Sequence, residues 1–537
     1  MKNVIAFYGG HDASVTFVDK NDRVRVIEIE RHVKQRYAAF SEEHDHRSFG
    51  IGTNKRIEFL DYLYDNISDP EKVDTILFMS MSPNDIELVN KFFPNAKWKE
   101  MHHHQSHAYC GHYQSGFENS IIFSIDGGGM DYGNIITTKA FLGDGEKIEQ
   151  LEDCKIDFGT AYMSIGKYIS EIKKKPDDAL AWAGKIMGLC AYGKVREEWV
   201  EPIEKFYRTI SEYTHNKIAF RDNSGGNTII QELFPNTILT QDCLKGEDSY
   251  DLAATSQFVF EKLLFEWMKP LIANHKDRDI VLVGGCALNV LYNQKLSEYV
   301  FDTSMSKLYV PPNPSDCGLS LGFFLEKFPE LRKRDFVYDG IELLDIEDLQ
   351  THVSDRNAKE VSTKEIVDII KRGEIVGLVY GDSEIGPRAL GNRSIICDPS
   401  FENMKDILNK KVKFREWYRP FAPVSMLHHS NTYFHKVFES NYMSFAPKVK
   451  EEYQEKLRAI THVDETSRLQ TVSKMNGHSV FSDILNELKD RNEIPVILNT
   501  SFNIKGFPIL TTIEDALHVL DNTELDHVVI EGYLFSK

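Results

Sequence analysis

Ile121-Ile122-Phe123-Ser124-Ile125-Asp126-Gly127-Gly128-Gly129 is an apolar run that ends in a carboxylate and three glycines. A run that short, bounded by glycine, predicts a buried strand leading into a turn. The pattern occurs twice more: Val4 to Gly10 before His11-Asp12-Ala13-Ser14, and Ile280-Val281-Leu282-Val283 before Gly284-Gly285-Cys286-Ala287-Leu288-Asn289. Strand, turn and helix signals alternate along the chain, which predicts α/β layers. Each of the three turns would present backbone N–H groups to phosphate, the last at a helix start where the dipole also favours an anion. Three such turns favour nucleotide binding over glycines that only allow tight strand exits.

Upstream of the first run lies Met101-His102-His103-His104-Gln105-Ser106-His107. Four residues separate His103 from His107, just over one helical turn, so on a helix both imidazoles share a face about 6 Å apart along the axis. Two neutral imidazoles so placed could hold one divalent ion, with the Asp126 carboxylate as a third ligand. Taken alone, the pair also suits solvated or hydrogen-bonded histidines.

The chain has 537 residues, too many for one ordinary core, so two or more domains are expected. Its 42% hydrophobic and 27% charged content is that of a soluble globular protein. A net charge of -19, from 82 acidic against 63 basic residues, leaves no global basic field for nucleic acid. The 7 cysteines include no C-x2-C pair, which argues against a zinc ribbon or a disulfide framework and for a reducing, cytoplasmic setting. The chain enters a strand at once, with no signal-peptide pattern, and no apolar run is long enough to span a bilayer.

Apolar strands lapse between about 335 and 365, where a domain boundary is expected, giving domains 1–345 and 360–537. The second block breaks the overall acidity. Arg388 and Arg393 lie in Gly386-Pro387-Arg388-Ala389-Leu390-Gly391-Asn392-Arg393, Lys413, Arg415 and Arg419 lie in a Pro-bounded segment, and Arg468 follows. Arginines fixed by Gly and Pro turns suit bidentate recognition of small anions, so a phosphorylated substrate is expected. The strand Pro495 to Asn503 brings Asn499 and Ser501, whose amide and hydroxyl could complete that pocket. For any single arginine a surface ion pair is the alternative.

With these segments in place the chain resembles the O-carbamoyltransferase family, which includes the nodulation-factor and cephamycin carbamoyltransferases. Gly10-His11-Asp12-Ala13-Ser14, His103 to Ala108, Asp126 to Gly129, Lys185 to Gly193, Gly284 to Asn289, Pro311 to Gly318 and the C-terminal blocks recur in the family's order. The resemblance implies an N-terminal domain of the actin and hexokinase type, built of two ribonuclease-H-like lobes, fused to a YrdC-like C-terminal domain. It implies ATP-dependent chemistry: carbamoyl phosphate is converted to carbamate and then carbamoyl-AMP in the C-terminal domain, and the N-terminal domain passes the carbamoyl group to a hydroxyl. It implies iron(II), or another divalent metal, on His103, His107, Asp126 and Asp316. By the same resemblance His11, with Asp12, is the base. Lys185, Gly127, Gly128, Gly129, Gly284, Gly285 and Asn289 hold the nucleotide with its magnesium, and Arg388, Lys413, Arg419 and Arg468, near Asn499 and Ser501, hold carbamoyl phosphate.

Two departures stand out. Cys286 occupies a loop position where the family usually has a branched or small residue, and the family's Asp-Gly-Thr-Ala-Arg string reads Asp464-Glu465-Thr466-Ser467-Arg468, without glycine's freedom. The region after Glu28-Ile29-Glu30-Arg31 is also less typical, and early loops of this kind would shape the acceptor pocket. The acceptor stays open among sugar or natural-product hydroxyls and a hydroxymethyl nucleobase, so nucleic acid enters only as an acceptor. A homodimer is the default assembly. A threonylcarbamoyl-type tRNA-modifying enzyme and a non-catalytic actin-like nucleotide-binding protein are the competing readings.

Overall fold

A computed structural model describes residues 1–41, 49–173, 176–210, 234–240, 243–304, 306–473 and 479–537. These form a mixed α/β protein with three mixed sheets. Compactness divides the chain into two units, Met1–Glu100 with Asp335–Lys537, and Met101–Arg334. The partition expected near 335–365 follows chain order, whereas the compact units join the first hundred residues to the C-terminal segment.

The first unit opens with strands β1 (Val4–Tyr8), β2 (Ser14–Val18), β3 (Val24–Glu28), β4 (Thr75–Met79) and β5 (Lys97–Glu100), in the order β3-β2-β1-β4-β5. β1 to β3 form an antiparallel meander, and β4 and β5 add parallel to β1. All five residues of β1 are buried, as expected for an uninterrupted apolar run in the middle of a sheet. The second unit carries β6 (Asn119–Asp131), β7 (Asn134–Asp144), β8 (Lys147–Asp153), β9 (Asp279–Val283) and β10 (Leu308–Tyr309) in the order β10-β9-β6-β7-β8. It repeats the first pattern: a three-strand meander, then two strands parallel to its first member.

The third sheet belongs to the first unit. Its strands are β11 (Lys359–Glu360), β12 (Val376–Val379), β13 (Arg393–Cys397), β14 (Ala422–Met426), β15 (Gln470–Val472), β16 (Val496–Ser501), β17 (His527–Ile530) and β18 (Tyr533–Ser536), in the order β11-β18-β17-β12-β13-β16-β14-β15. Buried ion pairs tie its Asp382–Gly386 loop to β3. The Arg31 Nε lies 2.5 Å from Glu28, and its Nη atoms donate to the Glu384 and Gly386 carbonyls at 2.6 Å each. The Gly386 amide in turn donates to Glu28 at 2.6 Å. Breaking such a buried pair costs about 3–5 kcal/mol, because the remaining charge is stranded.

One sequence expectation is corrected here. The glycines after Asp126 form no strand-ending turn, because β6 continues to Asp131 through a bulge between Ile125 and Gly129. A β-carbon on Gly129 would lie 2.0 Å from the His103 ring, and Gly128 has φ 126°. A second concerns Glu465, which takes φ 68° although it is not glycine. The backbone keeps the left-handed turn and bears its strain, about 1–2 kcal/mol. Among the described residues no helix is long and apolar enough to cross a membrane.

Candidate metal centre and anion pocket

The helix His103–Ser115 places His103 and His107 on one face, both buried. It lies close on the second sheet because a β-carbon on Gly111 would lie 2.5 Å from Val283. The helix Leu319–Lys327 packs equally close, since a β-carbon on Gly322 would lie 2.1 Å from the Ser106 carbonyl oxygen. That approach brings in Asp316, at the turn Asp316–Gly318 before the helix. β6 runs parallel to β9 with Ser124 opposite Val283, so Asp126 arrives beside Gly285. The Gly285 amide donates to one Asp126 oxygen at 2.7 Å, and the Gly127 amide to the other at 2.6 Å.

His103, His107, Asp126 and Asp316 each offer one ligand atom, and the four atoms lie within 4.8 Å of one another. The Nε2 atoms stand 3.4–3.9 Å from the carboxylate oxygens, beyond the 2.7–2.9 Å of a charge-assisted hydrogen bond. Neither Nε2 completes a hydrogen bond of ordinary geometry. Ligands about 2.0–2.2 Å from one ion lie roughly 3–4 Å from each other, so this set fits a divalent ion of borderline hardness. Two carboxylates would neutralise its charge. Burial pulls the His107 pKa down, but Asp126 and Asp316 outweigh it and raise it to about 9. Burial alone would raise that of Asp126, yet the two histidines hold it well below the usual carboxylate range.

His104, between the two, does other work. Its ring nitrogens meet the Ser124 hydroxyl at 2.8 Å and the Ile136 carbonyl at 3.0 Å. The nitrogen facing the carbonyl must carry the proton, which fixes the tautomer. Burial pushes its pKa down to about 3.

Sequence-expected nucleotide residues of this unit fall in two places. Lys185 is buried on the helix Trp182–Leu189. Gly284 (φ 86°) approaches the Ile125 backbone so closely that a β-carbon would lie 2.3 Å from its oxygen. The Gly284 amide donates to the Pro314 carbonyl at 2.7 Å, and Asn289 exchanges amide hydrogen bonds with Gln257 at 3.0 and 3.1 Å. These groups are committed to protein acceptors, so the loops offer close backbone approach more than unused N–H donors.

In the first unit, the His11 Nδ1 lies 2.9 Å from Asp12 Oδ2, on a turn where Asp12 takes φ 57°. The C-terminal cations collect around β13, β14 and β16. Burial pulls the Arg388 pKa down to about 10, helped by the Arg419 charge. Burial also holds Lys413 and Arg468 well below their usual values, with neighbouring guanidiniums adding to the effect: Arg415 and Arg419 on Lys413, Arg388, Arg415 and Arg419 on Arg468. Cations that depress one another inside a protein form a ready site for an anion. The Lys413 ammonium reaches the Asn503 carbonyl at 2.7 Å and the Ser501 hydroxyl at 3.3 Å. Asn499 donates to the Ala389 carbonyl at 3.0 Å and to Gln470 at 2.8 Å.

The family model described as carbamoyltransferase N-terminus matches residues 56–324, and that described as carbamoyltransferase C-terminus matches 367–537. The chain belongs to the carbamoyltransferase family. Nodulation protein NolO of Bradyrhizobium diazoefficiens is 31% identical over 81% of this chain and 79% of its own. Nodulation protein U of Sinorhizobium fredii is 31% identical over 71% and 68%, and an uncharacterised Methanocaldococcus jannaschii protein is 29% identical over 99% of both chains. A crystal structure of HypF from T. kodakarensis covers 62% of this chain and 49% of that one, at 13% identity and a TM-score of 0.34. The protein is therefore a carbamoyltransferase enzyme.

Within this carbamoyltransferase Arg393 and Arg415 are both bonded to the protein itself. Arg393 donates to the Tyr380 and Asn392 carbonyls at 2.8 Å and to Gly381 at 2.9 Å, so it ties the loop together. Arg415 stacks 4.2 Å over the Phe421 ring and donates to Asn409 at 2.7 Å. Sequence reasoning did not find Arg36, whose charge acts on Lys413. No local motif marks it, because the fold brings it within electrostatic reach of the C-terminal segment.

Proposed function

We propose that this carbamoyltransferase is an ATP-dependent O-carbamoyltransferase that takes its carbamoyl group from carbamoyl phosphate and transfers it, by way of carbamoyl-AMP, to an acceptor hydroxyl. The observation that carries the reading is the cluster of buried Lys413 with half-buried Arg388 and Arg468, each cation held down by burial and then by its charged neighbours. A small, strongly anionic substrate relieves that repulsion, and a guanidinium matches phosphoryl oxygens in pairs. Water converts carbamoyl phosphate to carbamate and phosphate. Carbamate oxygen then bonds to the α-phosphorus of ATP as pyrophosphate leaves.

The repeated meander-and-parallel topology of the first two sheets supports two ribonuclease-H-like lobes of the actin and hexokinase type. On this reading the functional domains are 1–345 and a YrdC-like 360–537. Lys185, Gly127, Gly128, Gly129, Gly284, Gly285 and Asn289 form the nucleotide cradle, where glycine lets backbone come close to phosphate.

For transfer, the acceptor oxygen bonds to the carbamoyl carbon, the bond to phosphate breaks, and AMP leaves. An alcohol needs a base. Asp12 meets the Nδ1 of His11 and orients the ring, and the imidazole is the base that takes the hydroxyl proton. His103, His107, Asp126 and Asp316 would hold a divalent ion, iron(II) by family resemblance, which supplies positive charge toward phosphate and carbonyl oxygens. The acceptor is a small-molecule, glycan or nucleotide hydroxyl, and the pairing of copies follows the usual homodimer.

Mass spectrometry of a hydroxyl-acceptor panel incubated with ATP and carbamoyl phosphate tests the reading. A carbamoyl mass increment lost in His11→Ala supports it. An increment that forms equally well without ATP overturns it.

A further inference from the structure

The β6–β7 hairpin closes over the start of the helix His103–Ser115. His102, just before the helix, gives the first turn no side-chain cap. Asp131, the last residue of β6, supplies one from outside: its Oδ1 accepts the His104 amide at 3.1 Å. An acceptor there satisfies one of the orphan donors of a first turn, and a carboxylate also complements the positive end of the helix dipole. Asp131 is fixed in turn by Lys139 of β7, whose ammonium lies 3.0 Å from Oδ2, and both residues are buried. Such a pair stays in one geometry, because neither partner can turn away without stranding the other charge.

The contact matters for what the turn carries. The amide that Asp131 holds directly follows His103 in the chain. Two residues before Asp131 on the same strand, Gly129 backs onto the His103 ring, where a β-carbon would lie 2.0 Å away. One short stretch of β6 therefore sets both the backbone after His103 and the wall behind its imidazole. The hairpin also holds the residues on either side. The Ile136 carbonyl meets the His104 ring at 3.0 Å, and the Tyr132 ring lies 3.7 Å from that of His102. Asp131 itself stands outside the four residues that could hold an ion.

We propose that Asp131 is a positioning residue for His103, acting through the first turn of the helix, and that Lys139 keeps its carboxylate in line. The ligand served is a single divalent cation. The inference rests on His103, His107, Asp126 and Asp316 being a metal site. It adds that the affinity of that site is set in part by a carboxylate that does not belong to it.

The test compares two double variants of the full chain, neither of which keeps the ion pair. Asp131→Asn with Lys139→Met retains a side-chain oxygen for the His104 amide, whereas Asp131→Leu with Lys139→Met is close in size and has no acceptor. Cobalt(II) affinity is read by calorimetry, the coordination by the visible absorption of the cobalt(II) form, and folding by thermal unfolding of the metal-free protein. The second variant is expected to bind cobalt(II) about tenfold more weakly than the first and with an altered spectrum. Should it melt early, Asp131→Ala with Lys139→Met takes its place. Equal affinities or identical spectra in the two variants overturn the proposal while the wild type still binds cobalt(II). A wild type that binds none overturns instead the reading on which it rests.

Discussion

The Gly285 amide donates to the Asp126 carboxylate at 2.7 Å, so a loop that reads in sequence as a phosphate cradle also orients one carboxylate of the cluster that could hold a metal ion. Hydrogen bonds of this kind orient a ligand before any ion binds, and their loss commonly costs 10–100-fold in metal affinity. The His103, His107, Asp126 and Asp316 cluster is accordingly a product of strand register, since β6 and β9 must pair as they do for Asp126 to meet Gly285.

His107→Ala should abolish stoichiometric divalent metal, read by elemental analysis, whereas His104→Gln should keep the metal and lower stability. The His107 pKa of about 9 sets the pH dependence. Below that value the metal must displace a proton, so affinity for cobalt(II) or iron(II) should fall about tenfold per pH unit between pH 9 and 7. Flat affinity across that range would contradict protonation of His107 in the empty site.

Gly129→Ala should lose metal and stability together, because the new methyl would lie 2.0 Å from the His103 ring. Gly145→Ala is the control. It has φ 61° and nothing within 4 Å, so it should cost about 1 kcal/mol of backbone strain and leave metal content unchanged.

Arg388→Ala and Arg393→Ala should separate binding from folding. Arg393 satisfies three carbonyls, and its removal should cost about 2–4 kcal/mol in denaturant unfolding. Removing Arg388 relieves like-charge repulsion, so stability should hold or rise while phosphate affinity falls at least tenfold. The reverse pattern would exchange their roles.

Glu465→Gly should stabilise the protein by about 0.5–1 kcal/mol in thermal or denaturant unfolding. Glycine removes the penalty at φ 68°, and the exposed Lys448 ion pair that it deletes is worth little. A loss of stability would mean that the pair outweighs the strain.

How far the sequence could be read differs residue by residue. Ile121 to Asp126 and the His103–His107 pair were legible because strand and helix periods act over a few residues. Asp316 was not, since its place depends on the close packing that Gly322 allows, and it came in through family resemblance. Gly127 to Gly129 read as a turn because glycine marks both turns and crowded strands, and only the His103 ring shows which applies. Arg388 and Arg393 look alike in one Gly-rich segment, and their partners alone tell them apart. The 42–48 stretch, part of the early region expected to shape the acceptor pocket, lies outside the described residues.

The central claim is that carbamoyl phosphate bound by the basic pocket drives adenylate formation. Pyrophosphate release from ATP, measured with and without carbamoyl phosphate, tests it most directly. The account predicts release only when both are present, and its loss in Arg388→Ala. No release with both substrates, or release that survives Arg388→Ala undiminished, would contradict it.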